Sequence, residues 1–477
     1  MKFYSNEDLL DKYSRDRSAY KIKPKFVVFP KSENDLLEII RFARNKKLSI
    51  NARGGGTGLS GACVGNGIIV DFSKYFNKII KIGSGTRVQS GILLKKLRPI
   101  IEKKGYMLPS VPLHGDCAIG GNVNTRSIGQ RTIKYGTIDN QVKFIRGIMP
   151  DGRILDTSKK IPKDIEEKII NLKKQILKDK NLIRYIEKRH MVAGGYNLKA
   201  FLKYKKINEL ITHLIVGSTG TLILLTEVEL KLPKYKLMKE LYLLHFENIN
   251  LLQKTLNKLI KLKPATLEYA GKQVLELWDK KYQHKNAIAA VILGFESKKN
   301  IKNLLKDVLN YRKIPVKEYP KLWNSRALAL PKLEEEAKKL GLHLPSGIDD
   351  TTFLPKYFSR VMKEINDYGK KEGITIASFG HIGIGSIHLR AFLNKKRSRR
   401  TLDKISKNIF KIIRKYNGTL VGEHNSGLGK SRYLKMESKK MYDYMWKVKK
   451  VFDHKNILNP KAIFNLDPMT KNLKPYL

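Results

Sequence analysis

Short apolar runs alternate with amphipathic stretches along the first third of the chain. "FVVFPKSENDLLEIIRFARNKKLSINARGG" reads as strand, turn, helix, strand. Within it Leu36, Leu37, Ile40 and Ala43 fall on one helical face, and Ser32 followed three residues later by Asp35 has the pattern of a capping box. "GIIVDF" predicts a further strand and "SGILLKKLRPIIEKKGYML" a second amphipathic helix. From 105 to about 157 the texture is strands and glycine loops, ending in "VKFIRGIMPDGRILD", where Pro-Asp-Gly marks a hairpin turn. "THLIVGSTGTLILLTEVELKLP", 212–233, reads as strand, turn, strand, with Pro233 as a boundary. Beyond it "LYLLHFENINLLQKTLNKLIKLKPATLEYAG" and "AAVILGFESKKNIKNLLKDVLNY" repeat strand–helix units, which predicts an α+β second domain. The closing stretch reads as mostly helical.

Length and composition narrow the class. A chain of 477 residues is too long for one core, so two or three domains are expected. No run approaches the roughly 18 apolar residues of a membrane-spanning helix, and "MKFYSNEDLLDKYSRDRSAY" is too charged to hold a signal-peptide h-region. The two cysteines, Cys63 and Cys117, form no CxxC, which excludes an iron–sulfur cluster or a cysteine zinc site. The expectation is a cytoplasmic protein with reduced thiols. Lys+Arg of 95 against Asp+Glu of 43 gives a net charge of +52. Most of these lysines alternate with apolar residues and read as solvated faces; "NKKRSRR", 394–400, is denser. Such a surface suits an acidic partner or peripheral contact with the anionic inner face of a membrane. Nucleic acid is rejected as a partner, because no zinc finger, RRM signature or basic region with heptads is present.

The stretch "LSINARGGGTGLSGACVGNGIIVDFS", 48–73, places seven glycines between two apolar runs. "GTGLSG" matches GxGxxG, but a strand rather than a helix follows, so this is no Rossmann turn, and no Gly-Lys-Ser/Thr makes a P-loop. What remains is a strand–loop–strand element whose bare backbone can close around an anionic ligand. A second glycine-rich segment occupies 108–137. Farther along, "GHIGIGSIH" carries His381 and His388, and "GEHNSG" carries Glu423 and His424. In one regular strand the two histidines of H-x6-H would face opposite sides, so Gly380, Gly383 and Gly385 would have to break it. Two imidazoles and a carboxylate suit Zn²⁺ or Mn²⁺; histidines satisfied on a β-hairpin are the other reading of the same residues.

"ARGGGTGLSGACVGNGIIVDFS", "CAIGGN", "KYGT", "PDGRIL", "GYNL" and "LIVGSTGTLILLTEVELKL", followed by "FGHIGIGSIHLRAFL", "GEHNSGLGKS" and "FDHKNILNPKAIF", resemble, in the same order, the motifs of PCMH-type flavoproteins of the vanillyl-alcohol-oxidase superfamily. The nearest group is the D-lactate/glycolate/D-2-hydroxyglutarate dehydrogenases. The resemblance runs from about 10 to 466, with a weakly matching insertion around 157–193. It implies an α+β architecture: a two-subdomain FAD-binding domain over 1–233, an α+β substrate (cap) domain over 234–415, and a helical return over 416–477. It implies FAD contacts at Arg53, Gly54, Gly55, Gly56, Thr57, Gly58, Ser60, Pro109, Gly120, Gly121, Asn122, Gly129, Tyr135 and Asn459. Thr57 and Gly58 stand where covalently flavinylated relatives place a histidine, so non-covalent FAD is expected.

The resemblance also makes His381, His388 and Glu423 ligands of a divalent metal and His424 the base that takes the hydroxyl proton of a small 2-hydroxy acid. Arg326, in "LWNSRALAL", is the expected carboxylate clamp because a guanidinium fork matches that anion; Arg390 is the second candidate. Electrons would pass to an external quinone, cytochrome or electron-transfer flavoprotein. Three departures stand out. Relatives read Gly-Asp-Gly-Asn where this chain has Gly383-Ile384-Gly385-Ser386, Gly where it has Asn425, and often Thr where it has Ala118. They leave open another alcohol as substrate, or a degenerate flavin-binding subunit of a glycolate-oxidase-like complex.

Overall fold

The computed structural model describes residues 1–394 and 398–474, so the basic stretch at 394–400 has its centre, 395–397, outside the described residues. The chain divides into two compact units. The first comprises Met1–Ser127, Thr137–Tyr235 and Glu423–Lys474; the second comprises Ile128–Gly136 and Lys236–Gly422.

In the first unit Phe26–Val28, Ile68–Asp71 and Ile50–Arg53 form a parallel sheet in that order. The helix Glu33–Asn45 starts at the expected capping box: the Ser32 side chain accepts from the Asp35 N–H while the Asp35 carboxylate accepts from the Ser32 N–H. Its buried face is Leu36, Ile39, Ile40 and Ala43, with Leu37 only half-buried, packed on Val28, Ile50, Ile68 and Val70. At roughly 1.5–3 kcal/mol per fully buried large aliphatic side chain, this face outweighs the cap in fixing the helix. A five-stranded antiparallel sheet follows, in the order Ile79–Lys81, Gly85–Gln89, Leu224–Lys231, Val142–Ile148, Ile154–Asp156. Its last two strands are the hairpin that Pro-Asp-Gly marks.

Two stretches differ from the sequence reading. "THLIV" ends a helix, Ile207–Ile215, rather than forming a strand. Leu210, Ile211, Leu214 and Ile215 are all buried there, and an apolar run enclosed on most sides loses the alternation that separates strand from helix. In the glycine-rich texture of 105–157, Ile119–Thr125 and Thr132–Tyr135 are short helices.

The second unit is built on a seven-stranded antiparallel sheet. Its order is Asn310–Lys313, Glu240–Phe246, Ala289–Phe295, Thr266–Gly271, Ile376–His381, Ser386–Ala391, Thr351–Thr352. On one face Leu241, Leu243, Ala290, Ile292, Ala377 and Phe379 share a core with Val274, Trp278, Leu322 and Leu333 from the helical segments over them. On the other, Tyr269 meets Phe358 of the helix Phe358–Glu372 edge-on at 5.0 Å. The helix expected after Phe295 is a single 3₁₀ stretch, Lys302–Asp307, with Leu305 as its buried residue.

Candidate functional site

The glycines of the first unit divide into two kinds. Gly54 and Gly55 are pressed against the second glycine segment: a Cβ at Gly54 would lie 2.6 Å from the Ala118 Cβ, and one at Gly55 would overlap the Asp116 carbonyl oxygen. These two let loop approach loop. Gly56 has φ +65°, the left-handed region that glycine enters freely. Gly58 and Gly121, by contrast, face open space: beyond the adjoining backbone, nothing among the described residues lies within 4 Å of a Cβ built there. Thr57 Oγ1 donates to Cys117 Sγ at 3.2 Å, a second tie between the loops. Arg53, ending its strand, donates through Nη1 to the Arg15 carbonyl at 2.8 Å and stacks over the Tyr13 ring at 5.0 Å.

Neighbouring residues brace this pair of loops. The Gly120 N–H donates to the Ser90 carbonyl at 2.7 Å, and the Asn122 side chain donates to the Ala118 carbonyl at 2.9 Å. Pro109 and Ser60 are buried, and the Ser60 carbonyl accepts from the Leu428 N–H at 2.9 Å. Asn459 commits its side chain to the protein: Nδ2 donates to the Ala62 and Thr219 carbonyls at 2.7 and 2.8 Å, and Oδ1 accepts from Asn51 at 2.7 Å. Its part in this geometry is to fasten the first glycine loop to the 217–220 turn.

Behind it lies Lys449, which no motif marks. It is fully buried and donates to Asp453 and to the carbonyls of Thr221 and Leu458, all at 2.6–2.7 Å; burial pushes its ammonium down to about 8. Gly129 and Tyr135 belong to the second unit. The Gly129 N–H donates to Thr132 Oγ1 at 2.8 Å, and the Tyr135 hydroxyl donates to Glu296, which also pairs with Arg131 and Lys134.

The histidine motif of the second unit is resolved by sheet register. "GHIGIGSIH" forms a hairpin: Ile376–His381, a 3₁₀ turn Ile382–Ile384, Gly385 at φ +68°, then Ser386–Ala391. Phe379 pairs with His388 and Ala377 with Arg390, while Ala270 of the neighbouring strand pairs with Phe379. Directly paired residues, and residues two apart in a strand, share a face. Glu268, His381, His388 and Arg390 therefore all project from one side of the sheet. The two imidazole rings are 6.0 Å apart between centroids.

Both rings are held through Nδ1. His381 Nδ1 lies 2.6 Å from Glu268 Oε1, and His388 Nδ1 lies 2.9 Å from the Asp349 carbonyl oxygen. An acceptor at Nδ1 places the proton there and turns the Nε2 lone pair outward, the tautomer a metal-ligating histidine needs. The donor set thus fits a divalent cation. Arg326, the expected carboxylate clamp, directs Nε and Nη2 at Glu268 Oε2, at 3.1 and 2.9 Å. Arg390 is only 2% exposed, and its Nε and Nη1 have no hydrogen-bond partner among the described residues; Nη1 stands 3.5 Å from the Asp349 carboxylate. Ile384 in the turn and Ser386 at the start of the following strand are both buried. Asp350 accepts from the Gly422 N–H at 3.0 Å, and Glu423 is the next residue in the chain.

In the first unit His424 Nε2 faces Glu423 Oε1 at 3.4 Å. Asn425 has φ +59°, the left-handed region, which asparagine is among the few non-glycine residues to enter at low cost. Its side chain donates to the Gly217 carbonyl at 2.7 Å and accepts from the Gly195 N–H at 2.9 Å. Among the described residues, no helix is long and apolar enough to cross a membrane.

Comparison with known proteins agrees with both halves. Residues 24–158 match the FAD binding domain model, and residues 238–463 match that of the FAD linked oxidases, C-terminal domain. The chain is 29% identical to glycolate oxidase subunit GlcD of Bacillus subtilis, over 95% of this chain and 92% of the relative. It is 24% identical to D-lactate dehydrogenase of Archaeoglobus fulgidus, over 95% of each. Against D-2-hydroxyglutarate dehydrogenase of Escherichia coli it is 24% identical over 94% of its own length, spanning 49% of that larger protein. The solved structure of alkyldihydroxyacetonephosphate synthase shares the fold, with a TM-score of 0.64 at 18% identity over 96% of this chain and 82% of that one. With glycine loops that leave backbone open for a cofactor and a C-terminal half that matches the second model, the chain belongs to the FAD-linked oxidases.

Proposed function

We propose that this protein oxidises a small D-2-hydroxy acid to the 2-oxo acid, using non-covalent FAD and delivering electrons to an external carrier. The observation that carries the reading is the single sheet face bearing His381, His388 and Arg390, with both imidazoles held at Nδ1. The names of the relatives, a glycolate oxidase subunit and a D-lactate dehydrogenase, support the substrate class.

The backbone of Gly54, Gly55, Gly56, Thr57 and Gly58, with Arg53, Ser60, Pro109, Gly120, Gly121, Asn122, Gly129 and Tyr135, would hold FAD. Asn459 fastens that cradle rather than lining it. Bound FAD supplies the acceptor for the hydride that leaves C2. His381, His388 and Glu423 would hold Zn²⁺ or Mn²⁺, which supplies a Lewis acid for the hydroxyl oxygen. Arg390 takes the substrate carboxylate, because its buried guanidinium holds Nε and Nη1 without a hydrogen-bond partner among the described residues, Nη1 making only a 3.5 Å ion pair with Asp349. Arg326 holds Glu268 instead. His424 removes the hydroxyl proton at Nδ1, its Nε2 being directed at Glu423. The basic surface is a docking face for an acidic electron carrier or an anionic membrane, so turnover falls with added salt.

A screen of D-lactate, glycolate and D-2-hydroxyglutarate with an artificial electron acceptor tests the reading. Turnover with one of them, lost on chelation and restored by Zn²⁺ or Mn²⁺, is the expected result. Turnover indifferent to chelation would remove the metal from the mechanism, and no turnover with any hydroxy acid would remove the substrate class.

A further inference from the structure

Glu268 belongs to none of the motifs, yet it stands at the centre of the sheet face just described. Its strand, Thr266–Gly271, is interior to the seven-stranded sheet, and Glu268 lies two residues before Ala270, which pairs with Phe379. That register aims the carboxylate at the same side as His381. The side chain is 2% exposed and both its oxygens are engaged: Oε1 with His381 Nδ1 at 2.6 Å, Oε2 with the Arg326 guanidinium at 2.9 Å. A buried carboxylate is retained only where such partners offset its desolvation. The turn between the two histidine-bearing strands, Ile382–Ile384, is apolar and contributes no carboxylate of its own.

We propose that Glu268 is a positioning residue that fixes the His381 ring with Nε2 presented to a divalent cation. The inference rests on the metal reading of His381, His388 and Glu423. Arg326 completes the arrangement: by occupying Oε2 it leaves Oε1 as the oxygen for the imidazole. The competing account is that Glu268 and Arg326 form an ion pair that merely ties the helix Tyr319–Ala327 to the sheet. The two accounts separate at Glu268→Gln. The amide keeps the shape but has a single acceptor oxygen. Arg326 offers only donors, so it claims that oxygen and the NH₂ group turns to His381. A donor at Nδ1 drives the imidazole proton to Nε2, and the ring no longer presents a lone pair to metal.

The test is Zn²⁺ affinity of the FAD-loaded protein by chelator competition, together with the histidine ¹⁵N spectrum of the metal-free protein. Wild type should bind Zn²⁺ with His381 in the Nδ1–H form. Glu268→Gln should bind roughly ten- to a hundred-fold more weakly and show the Nε2–H form. Glu268→Asp, which keeps the charge but shortens the reach, should also weaken Zn²⁺ binding and covers the case where the glutamine variant does not fold. If wild type binds no Zn²⁺ or Mn²⁺, the metal reading falls and this inference with it. If wild type binds while both variants bind equally well with an unchanged tautomer, the positioning role is overturned and the metal reading survives.

Discussion

In the proposed reading the two units solve recognition in opposite ways. The first builds its cradle from what side chains are missing: Gly54 and Gly55 let two loops touch, and Gly58 and Gly121 leave backbone facing open space. The second builds its site from side chains whose second atoms are already committed, His381 to Glu268 and His388 to the Asp349 carbonyl. A cofactor common to many substrates needs only shape and amide donors, whereas discrimination among small acids needs oriented charge. Damage to the first unit should therefore cost the cofactor, and damage to the second should cost substrate handling while the flavin stays.

The largest expected effect is at Gly55. Gly55→Ala drives a Cβ into the Asp116 carbonyl, and we expect loss of bound flavin with a stability loss of about 2–3 kcal/mol. Gly58→Ala meets none of the described residues, so the apoprotein should melt as wild type while FAD binds more weakly. Flavin content and melting temperature of the pair check this, and equal behaviour would erase the distinction between the two kinds of glycine.

Acid should next single out the first unit. His213 is buried and stacked on Tyr204 at 4.1 Å; burial lowers its pKa to about 4, against the pull of Asp139. Below about pH 6.5 the unfolded chain takes up a proton that the folded ring refuses. Stability should thus fall as pH drops from about 6.5 to about 4, by up to ~3 kcal/mol, and His213→Leu should flatten that limb in urea unfolding.

In the second unit, Arg390→Met should leave flavin bound and lower kcat/KM by roughly 10- to 150-fold, the worth of about 1.5–3 kcal/mol for bonds to a charged group. An unchanged kcat/KM would return the clamp to Arg326. The smallest effect is at Asn425. Asn425→Gly keeps the left-handed backbone and loses the side chain's hydrogen bonds to Gly217, Gly195 and Ser426, about 1–2 kcal/mol in thermal unfolding for the two that reach other segments, and Asn425→Ala adds about 1 kcal/mol of strain.

What the sequence discloses follows the same division. Close backbone approach can be met only by glycine, so the cradle is written into the chain directly, as is the capping box at Ser32. The second site is legible as motifs but not as a surface. Spacing alone sets His381 and His388 on opposite sides of a strand, and only the hairpin register, Phe379 opposite His388, brings them together. Glu268 lies 113 residues from its partner His381 along the chain, so no local pattern marks it. Lys449 is one lysine among many, and its burial follows from three acceptors that converge only in the fold. The helix Ile207–Ile215 misleads for a related reason, being apolar on nearly every side.

The most direct test of the central claim is an anaerobic titration of the flavin-loaded protein with D-lactate, glycolate and D-2-hydroxyglutarate, read by absorbance. The account predicts that the oxidised flavin band bleaches with at least one of them and that Arg390→Met shifts the required concentration upward. A protein that holds FAD but is bleached by none of the three would contradict it.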